Sequence, residues 1–342
     1  MSTVTGPDTE STDGKGARGI FAANVARNLA VCQDHLMIHF DIEGFPASVP
    51  GQFINIGPMI GRAGGPLQPA RPLLKRPFSI LSREDLAGGV ARIGVLYRVL
   101  GSGTSWIGTL RPGDVAQVIG PLGRGFRVRD GMRTALLVGG GTGIAPLIYL
   151  ATRLKAGHPH VRIVMFEGVR TKSLLPLRMD LDEPGSDSKI LGGGVADVPL
   201  VIASDDGTVG QPGTVVEAVQ RWIEREGTGH RGQGDPASPN DSYAAAGKET
   251  GRRADAGAQG RGDTETCVFA CGPEPMMAAM AAVCERWGLL CQVSLEKSMA
   301  CGMGTCQSCV VKVKDAADAA GWVYKLCCKD GPPFEAAEIV WG

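Results

Sequence analysis

The first part of the chain alternates short apolar runs with Gly and Pro, a pattern typical of antiparallel β-structure. A long helical period is absent there, and only a turn is indicated near Trp106. The pattern therefore predicts a small antiparallel β-barrel over residues 19–130. The predicted strands are Phe21–Leu29, His35–Ile42, Gly51–Ile56, Phe78–Leu81, Ala91–Leu100 and Asp114–Gly120.

Residues 131–287 show a different pattern, in which apolar runs alternate with helical periods. Thr134–Val138 is a continuous apolar run, as expected for a parallel strand buried on both faces, and a glycine-rich turn leads from it into a helix that ends near Leu154. This alternation predicts a doubly wound α/β domain with helices on both faces of its sheet. Further strands are predicted at Arg162–Phe166, Leu200–Ala203 and Cys267–Cys271, and helices at Gly213–Arg225 and Glu274–Trp287.

Two stretches are rich in small and charged residues and poor in large apolar ones. Residues 1–18 are predicted to be a disordered tail and residues 226–265 a disordered insertion, because neither can bury enough surface to offset the entropy of ordering. Residues 288–342 are predicted to form a small C-terminal domain, with strands at Cys291–Leu295 and Val310–Val313 and a closing strand or tail at Phe334–Val340.

Composition narrows the class of protein. The formal net charge of the 342 residues is zero, so charge favours neither nucleic acid nor a membrane surface. No run of 18 apolar residues occurs, and we expect no transmembrane helix. Ten cysteines could indicate a secreted protein, but five of them cluster in ligand spacing and no export signal is seen, so we expect the reducing cytoplasm.

The most specific motif is a cysteine loop. Cys301, Cys306 and Cys309 have the spacing C-x4-C-x2-C, and the adjacent pair Cys327 and Cys328 follows. Thiolates hold a [2Fe–2S] cluster in this spacing in plant-type ferredoxins, and the glycines between them let the backbone aim amides at sulfur. Disulfides or a structural zinc are the alternatives, although zinc sites more often have two close Cys pairs. Spacing alone leaves the choice between Cys327 and Cys328 open.

Two motifs in the barrel region have the chemistry of a phosphate site. One is Arg76-Pro77-Phe78-Ser79, and the other is Leu96-Tyr97-Arg98 followed by Gly103-Thr104. A guanidinium binds phosphate oxygens bidentately, a glycine permits close approach of the backbone, and a threonine adds a hydroxyl donor. The alternative for the first motif is a strand edge with a surface arginine.

Two further motifs lie in the α/β region. The turn from Gly139 to Gly143 feeds a helix N-terminus, which is a site for a pyrophosphate, although a tight turn without ligand would look similar. Cys271-Gly272-Pro273 closes a strand at its carboxyl end, where dinucleotide sheets bind their ligands. The alternative for Cys271 is a buried core thiol.

Several motifs together resemble those of the electron-transfer subunits of type B (NAD-dependent) dihydroorotate dehydrogenase, in the ferredoxin reductase superfamily. They are Cys271–Met276, Gln292–Met299, the cysteine loop and Cys328-Lys329-Asp330-Gly331-Pro332. The resemblance implies that the cluster ligands are Cys301, Cys306, Cys309 and Cys328, with Cys327 as a bystander. It assigns to FAD the residues Arg76, Pro77, Phe78, Ser79, Leu96, Tyr97, Arg98, Gly103 and Thr104. It assigns to NAD the residues Gly139, Gly140, Gly141, Thr142, Gly143, Cys271, Gly272 and Pro273.

The resemblance also implies a function. Ser79 would lie near the reactive edge of the flavin and Cys271 near the nicotinamide, so both are candidate catalytic residues. A separate FMN-bearing subunit would oxidise dihydroorotate in pyrimidine biosynthesis, within a heterotetramer of two subunits of each kind. Electrons would pass through the cluster and FAD to NAD⁺. Arg170 and Lys172 leave NADP open as the nucleotide, since a 2′-phosphate favours basic residues.

Two other functions compete with this one. The chain would otherwise be an NAD(P)H-oxidising subunit of a hydrogenase or of a ferredoxin–NADP transhydrogenase, or a non-catalytic redox sensor. Some relatives of the first kind replace the last cysteine by aspartate, and the cysteine at position 328 favours the pyrimidine enzyme.

Overall fold

The computed structural model describes residues 18–59, 72–177, 195, 197–226 and 265–342. The predicted N-terminal tail, apart from Arg18, lies outside these residues. So does the predicted insertion, apart from its first and last residues, Glu226 and Glu265. No helix in the described ranges is long and apolar enough to cross a membrane.

The first sheet contains seven antiparallel strands in the order β4-β3-β7-β1-β2-β6-β5. The chain after β4 returns to β6, where the amide of Leu81 donates to the carbonyl of Gly94 at 2.9 Å, and the sheet thereby curls into the predicted barrel. Phe40, Ile54 and Ile93 are among the fully buried residues of its core. The strands are β1 Gly19–Cys32, β2 His35–Glu43, β3 Phe53–Gly57, β4 Arg76–Ser79, β5 Ser82–Leu86, β6 Val90–Arg98 and β7 Val115–Leu122.

One short helix, α1 (Ser102–Thr109), follows β6 where the sequence indicated only a turn. Its one large buried side chain is Ile107, which packs into the barrel core. Four of its first seven residues are glycine or serine, which is why its helical period is weak in the sequence.

The second sheet also has seven strands, in the order β11-β10-β9-β8-β12-β13-β16. All its pairings are parallel except that of β13 with β16. The strands are β8 Thr134–Gly140, β9 Arg162–Val169, β10 Leu200–Ser204, β11 Gln211–Pro212, β12 Thr266–Cys271, β13 Leu290–Ser294 and, after the cluster segment, β16 Pro333–Glu335.

Helices cover both faces of this sheet, as predicted for a doubly wound fold. Helix α2 (Ile144–Gly157) packs on one face. Helices α3 (Val215–Glu226) and α4 (Glu274–Trp287) pack on the other. Each connection from strand to helix to strand joins parallel neighbours or near neighbours, so the carboxyl ends of β8, β9, β10 and β12 meet at one edge.

The second sheet continues into the predicted C-terminal domain. Strand β13 pairs in parallel with β12, and β16 pairs with β13, although both were predicted to belong with the cluster at residues 288–342. Four of the five residues of β13 are buried, and such a strand is stable only inside a larger sheet.

The remaining C-terminal elements are the hairpin of β14 (Val310–Lys314) and β15 (Trp322–Leu326) and the single turn α5 (Cys327–Asp330). Strands β5 and β15 are absent from the sequence prediction. Both are half-exposed. The charged residues Arg83, Glu84 and Asp85 hide the period of two in β5, whereas β15 is apolar apart from Lys325 and shows no alternation.

Candidate functional site

A cavity of about 420 Å³ lies where the barrel, the second sheet and the cysteine segment meet. Residues from all three parts line it, and they include most of those that the sequence assigned to FAD. The barrel residues that line it are Phe53, Pro77, Phe78, Ser79, Leu96, Tyr97, Arg98, Leu100 and Thr104. Thr142 and Cys271 come from the sheet, and Glu296, Lys297 and Met299 from the segment before the cysteine loop.

Arg76 and Gly103 do not line this cavity, but they contact each other beside it. A Cβ atom at position 103 would come within 2.7 Å of Nε of Arg76, so only glycine leaves room for the guanidinium over the first turn of α1. One guanidinium nitrogen donates to the carbonyl of Leu74 at 2.8 Å. The arginine is thereby fixed at a helix N-terminus, a position suited to phosphate oxygens.

The hydroxyl of Thr104 has a local role. It accepts hydrogen bonds from the amides of Leu100 (2.9 Å) and Gly101 (3.1 Å), and it donates to the carbonyl of Gly101. These bonds fix the chain that leads into α1. In the predicted contact with phosphate, the Thr104 hydroxyl would therefore bind the phosphate in addition to the backbone of this turn.

Tyr97 belongs to the barrel core as well as to the cavity wall. Its hydroxyl donates to Oδ1 of Asn28 at 3.0 Å, and its ring packs edge-on against Phe78. Burial raises the pKa of Tyr97 to about 12, so the phenol stays protonated.

A second cavity, of about 680 Å³, lies at the carboxyl edge of the second sheet. Of the residues predicted to bind NAD, Gly140, Gly141, Thr142 and Pro273 line it. Arg170 and Asp205 also line it, whereas Lys172 does not. Crevices at this edge are where open α/β sheets bind dinucleotides.

The other residues predicted to bind NAD lie on the side of the turn that packs against the protein. A Cβ atom on Gly143 would collide with the carbonyl of Cys271, and one on Gly140 would come within 2.8 Å of Sδ of Met276. Gly141 has φ of +57°, which favours glycine. The turn therefore packs directly on the end of β12, and Gly140, Gly143 and Gly272 act by allowing that contact. Gly139 instead leaves room for Glu167 and Ile144.

A carboxyl group lies buried beneath this turn. Glu167 in β9 is fully buried, and neither of its oxygens has a hydrogen bond of standard geometry within the described part of the chain. A side chain on Gly139 would collide with it. Burial raises the pKa of Glu167 well above its ordinary value, and the nearby amide of Gly141 opposes this only partly. Burial therefore favours the uncharged form of this carboxyl beneath a site for phosphates.

The two cavities meet at four residues that line both of them, namely Arg98, Leu100, Thr142 and Glu296. Cys271 lies beside this junction at the end of β12, with Ser294 of β13 as its register partner. Burial, more than the nearby Glu296, raises the pKa of Cys271 well above its ordinary value. The thiol of Cys271 is thus buried and also forms part of the wall of the first cavity, and its contact with the nicotinamide stays a prediction.

The cysteine loop has the backbone that a cluster needs. Its glycines have left-handed backbones, with φ of +72° at Gly302 and +91° at Gly304. The amides of Met303 and Cys306 both donate to Sγ of Cys301 at 3.4 Å. Hydrogen bonds of this kind stabilise thiolates that hold a cluster.

The barrel anchors this loop. The side-chain amide of Asn55, in β3, donates to the carbonyl of Cys301 at 3.1 Å. A side chain on Gly302 would collide with the same amide. Asn55 is almost fully buried, and no motif in the sequence marked it as part of the site. Glu296 lies in the motif Gln292–Met299, but the sequence assigned it no cofactor.

Cys327 and Cys328 have different environments. The amide of Cys328 donates to Sγ of Cys309 at 3.4 Å, and the Cys328 thiol lies among Cys301, Gly304 and Cys309. The thiol of Cys327 instead donates to the carbonyl of Leu295 at 3.3 Å and is fully buried. These contacts favour Cys328 as the fourth ligand.

The donor set fits a two-iron cluster better than a single ion. No three His, Cys, Asp or Glu side chains in the described ranges converge as a mononuclear site requires. A [2Fe–2S] cluster instead spreads its four thiolates over two irons. Ser308 lowers the pKa of exposed Cys306 to about 6, and the thiolate is the form that binds iron.

A barrel, a doubly wound sheet and a cysteine loop surround the two adjoining cavities. This combination defines the class of flavin- and dinucleotide-dependent reductases with an iron–sulfur segment. The fold is similar to that of NADH-dependent reduced ferredoxin–NADP oxidoreductase (TM-score 0.62, 23% identity, 93% of this chain and 90% of that one). It is also similar to the ferredoxin reductase in carbazole 1,9a-dioxygenase (TM-score 0.53, 18% identity, 80% and 67%).

Sequence comparison identifies the family. Residues 296–340 match the family model of the iron–sulfur cluster binding domain of dihydroorotate dehydrogenase B. The electron transfer subunit of dihydroorotate dehydrogenase B (NAD(+)) from Caldanaerobacter subterraneus subsp. tengcongensis is 30% identical over 319 residues, 93% of this chain and 98% of that protein. The subunit of the same name from Desulforamulus reducens is 28% identical over 94% of this chain. The chain belongs to this family of electron transfer subunits, as its motifs predicted.

The contact between Gly103 and Arg76 can be tested with a matched pair of variants. We expect Gly103→Ala to displace the guanidinium and raise the dissociation constant for FAD about tenfold, given the roughly 1.5–3 kcal/mol of a hydrogen bond to a charged group. Gly108→Ala in the same helix is the control, because its new Cβ atom would meet no atom closer than 3.9 Å. Fluorescence titration of each flavin-free variant with FAD measures the two dissociation constants. Equal affinities for the two variants would contradict the role of Arg76.

The adjacent cysteines offer a second matched pair. We expect Cys328→Ser to lose the visible absorbance and the iron of the cluster, and Cys327→Ser to keep both, since only Cys328 faces the other ligands. Iron analysis and circular dichroism in the visible range measure the outcome. A Cys327→Ser protein without a cluster, beside a Cys328→Ser protein with one, would reverse the assignment.

The buried carboxyl predicts a dependence of stability on pH. Burial raises the folded-state pKa of Glu167 above its unfolded value of about 4.3, so the folded chain holds the proton more tightly and loses stability as pH rises above that value. Glu167→Gln cannot ionise, and we expect its advantage in unfolding free energy over the natural protein to grow between pH 5 and 8, by at most about 1.4 kcal/mol per pH unit. Urea denaturation measures this. The control is Glu285→Gln, because the side chain of Glu285 is exposed on the outer side of α4. A pH-independent difference for Glu167→Gln would contradict a carboxyl that burial keeps protonated.

Proposed function

We propose that this chain is the electron transfer subunit of an NAD-dependent dihydroorotate dehydrogenase, an oxidoreductase that binds FAD, a [2Fe–2S] cluster and NAD. One observation carries the proposal. The cavity of about 420 Å³, which we call the flavin cavity, adjoins the cavity of about 680 Å³, which we call the dinucleotide cavity, through Arg98, Thr142 and Glu296. The flavin cavity adjoins the cysteine loop through Met299. The chain therefore lines up its three sites in the order in which electrons must pass.

The chemistry of the cofactors explains why the flavin site must lie between the other two sites. A flavin exchanges electrons in pairs with a nicotinamide and singly with an iron–sulfur cluster, so it belongs between them. The chain's residues hold the groups in place. Arg76 would bind the pyrophosphate of FAD, the turn Gly139–Gly143 that of NAD, and Cys301, Cys306, Cys309 and Cys328 the irons.

Ser79 and Cys271 remain the proposed catalytic residues. Both line the flavin cavity, one from the barrel and one from the sheet. The thiol of Cys271 is neutral, so its proposed role is to contact the reacting rings and not to act as a nucleophile. Residues 19–130, 131–287 and 288–342 would be the FAD, NAD and cluster domains, with β13 and β16 shared between the last two.

NAD is the proposed nucleotide. Asp205 lines the dinucleotide cavity together with Arg170. A carboxylate there can accept a hydrogen bond from a ribose hydroxyl and repels the 2′-phosphate of NADP. The names of the curated relatives agree with this choice.

A catalytic partner subunit must supply or accept the electrons at the cluster. We propose an FMN-bearing dihydroorotate dehydrogenase, two copies of each chain, and a place in cytoplasmic pyrimidine biosynthesis. The cysteine loop presents exposed Cys306 and a Met303 side chain that is 44% exposed, which supports a docking surface there. None of the ten cysteines forms a disulfide, in keeping with a reducing compartment.

The test is an assay of the reconstituted pair. We expect dihydroorotate-dependent reduction of NAD⁺ only when this chain, loaded with FAD and cluster, is combined with the FMN-type dihydroorotate dehydrogenase of the same organism. The Cys306→Ser protein is the control, because it should keep flavin and still fail to couple the two half-reactions. A loaded chain that oxidises NADH with ferricyanide but neither binds nor serves that partner would overturn the pyrimidine assignment.

A further inference from the structure

The turn Gly139–Gly143 is the proposed site for the pyrophosphate of NAD, and the following inference rests on that proposed function. The turn leads into the N-terminus of α2, where free amides and the helix dipole attract an anion. A second negative charge close to the same helix end would compete with the nucleotide. The groups packed beneath the turn therefore influence how tightly a dinucleotide binds above it.

Glu167 can supply such a charge. It is the register partner of Gly139 in the neighbouring strand β9. Its carboxyl occupies the space that a side chain at Gly139 would fill, next to Ile144, the first residue of α2. The residue is fully buried and lines neither cavity. The carboxyl therefore lies beneath the turn, outside the space that a nucleotide would occupy.

Gly141 connects this carboxyl with the dinucleotide cavity. Gly141 lines the cavity, while its amide lies close enough to Glu167 to favour the ionised carboxyl. Within the described residues neither carboxyl oxygen has a hydrogen bond of standard geometry, and an orphaned buried carboxyl requires an explanation. An ionised Glu167 would draw the Gly141 amide inwards, whereas a bound phosphate would draw it towards the cavity. The two anions thus compete for one amide.

No charged side chain beneath the turn balances the carboxyl. The titratable groups that feel its charge are the thiols of Cys271 in β12 and of Cys32 at the end of β1. Burial raises the pKa of both thiols, to about 11 for Cys32, so both are uncharged near neutral pH. The residues that pair or pack with Glu167 from β8, β10 and α2 cannot ionise, and they are Gly139, Ile202 and Ile144.

The remaining ionisable groups lie on the cavity side of the turn. Arg170 and Asp205 line the dinucleotide cavity with opposite charges. His35 and Glu296 also line it, and burial lowers the pKa of the first and raises that of the second. All four remain unchanged when Glu167 is substituted. A comparison of the natural protein with a variant of Glu167 therefore isolates the buried carboxyl.

We propose that Glu167 is a positioning residue for the dinucleotide, which leaves the Gly141 amide free for the pyrophosphate when its carboxyl is protonated and holds that amide beneath the turn when it is ionised. Binding of the nucleotide then moves one proton from water to Glu167, and release of the nucleotide returns it. No electron is transferred in this step. Since the charge of the nucleotide favours the protonated carboxyl, affinity is greatest below the pKa of Glu167 in the empty protein and falls as pH rises above it.

The test is a calorimetric titration of the oxidised holoprotein with NAD⁺, which cannot reduce the flavin and therefore reports binding alone. Glu167→Gln keeps the shape of the side chain, Glu167→Met is apolar and of similar length, and Glu285→Gln on α4 is the exposed control. We expect the dissociation constant of the wild type, divided by that of Glu167→Gln, to rise about tenfold between about pH 6.5 and 9.5. Glu167→Met should follow Glu167→Gln, and Glu285→Gln should follow the wild type.

The same titration in two buffers of different ionisation enthalpy counts the protons taken up. We expect the wild type and Glu285→Gln to take up a fraction of one proton for each NAD⁺ bound, beyond the uptake of the two Glu167 variants. A purely structural role would instead change the affinity equally at every pH. That result, or equal proton uptake in all four proteins, would overturn this inference alone. A wild-type holoprotein that binds no NAD⁺ at any pH would overturn the proposed function, and the inference with it.

Discussion

Strand β13 is the constraint on which the site depends. It is the last parallel strand of the second sheet, and its final residue, Ser294, pairs in register with Cys271 at the end of β12. Parallel neighbours end at the same edge, so the chain leaves β13 beside the dinucleotide cavity and enters the cysteine loop within a few residues. Only residues 295–300 separate the end of β13 from Cys301, so the pairing of β12 with β13 keeps the loop close to the sheet.

The barrel closes this arrangement from the opposite side. Asn55 binds the loop at the carbonyl of Cys301, and the amide of Arg124 donates to the carbonyl of Gly331 at 2.6 Å. A side chain on Gly123 would collide with Gly331 and Pro332, so the barrel meets the turn after α5 backbone to backbone. The flavin cavity is the space left among three parts that contact one another around it. This explains why each part contributes wall residues and none contains the cavity alone.

Local signals in the sequence were sufficient for the architecture and for the motifs. The turn Gly139–Gly143 and the cysteine spacing are local, because their chemistry depends on backbone conformation and on near neighbours along the chain. Strand β5 gave no such signal because three of its five residues are charged, and β15 gave none because its apolar residues do not alternate with polar ones. Asn55 could not be found, because its importance arises from a contact between barrel and loop and no residue type or spacing marks it beforehand. Glu296 lies in the motif Gln292–Met299, but its position between the two cavities arises from contacts among barrel, sheet and loop.

The adjacent cysteines show how closely the sites are joined. In the single turn α5, consecutive residues point in different directions. Cys328 therefore faces the thiols of the loop, while Cys327 donates to Leu295, the residue before Glu296. Cys327, which the resemblance leaves out of the ligand set, thus anchors the chain before Glu296. The same turn that places Cys328 beside Cys309 also fixes the backbone at the junction of the two cavities. A displacement of α5 would consequently disturb the cluster and the carboxyl together, and this coupling gives a physical reason for two cysteines side by side.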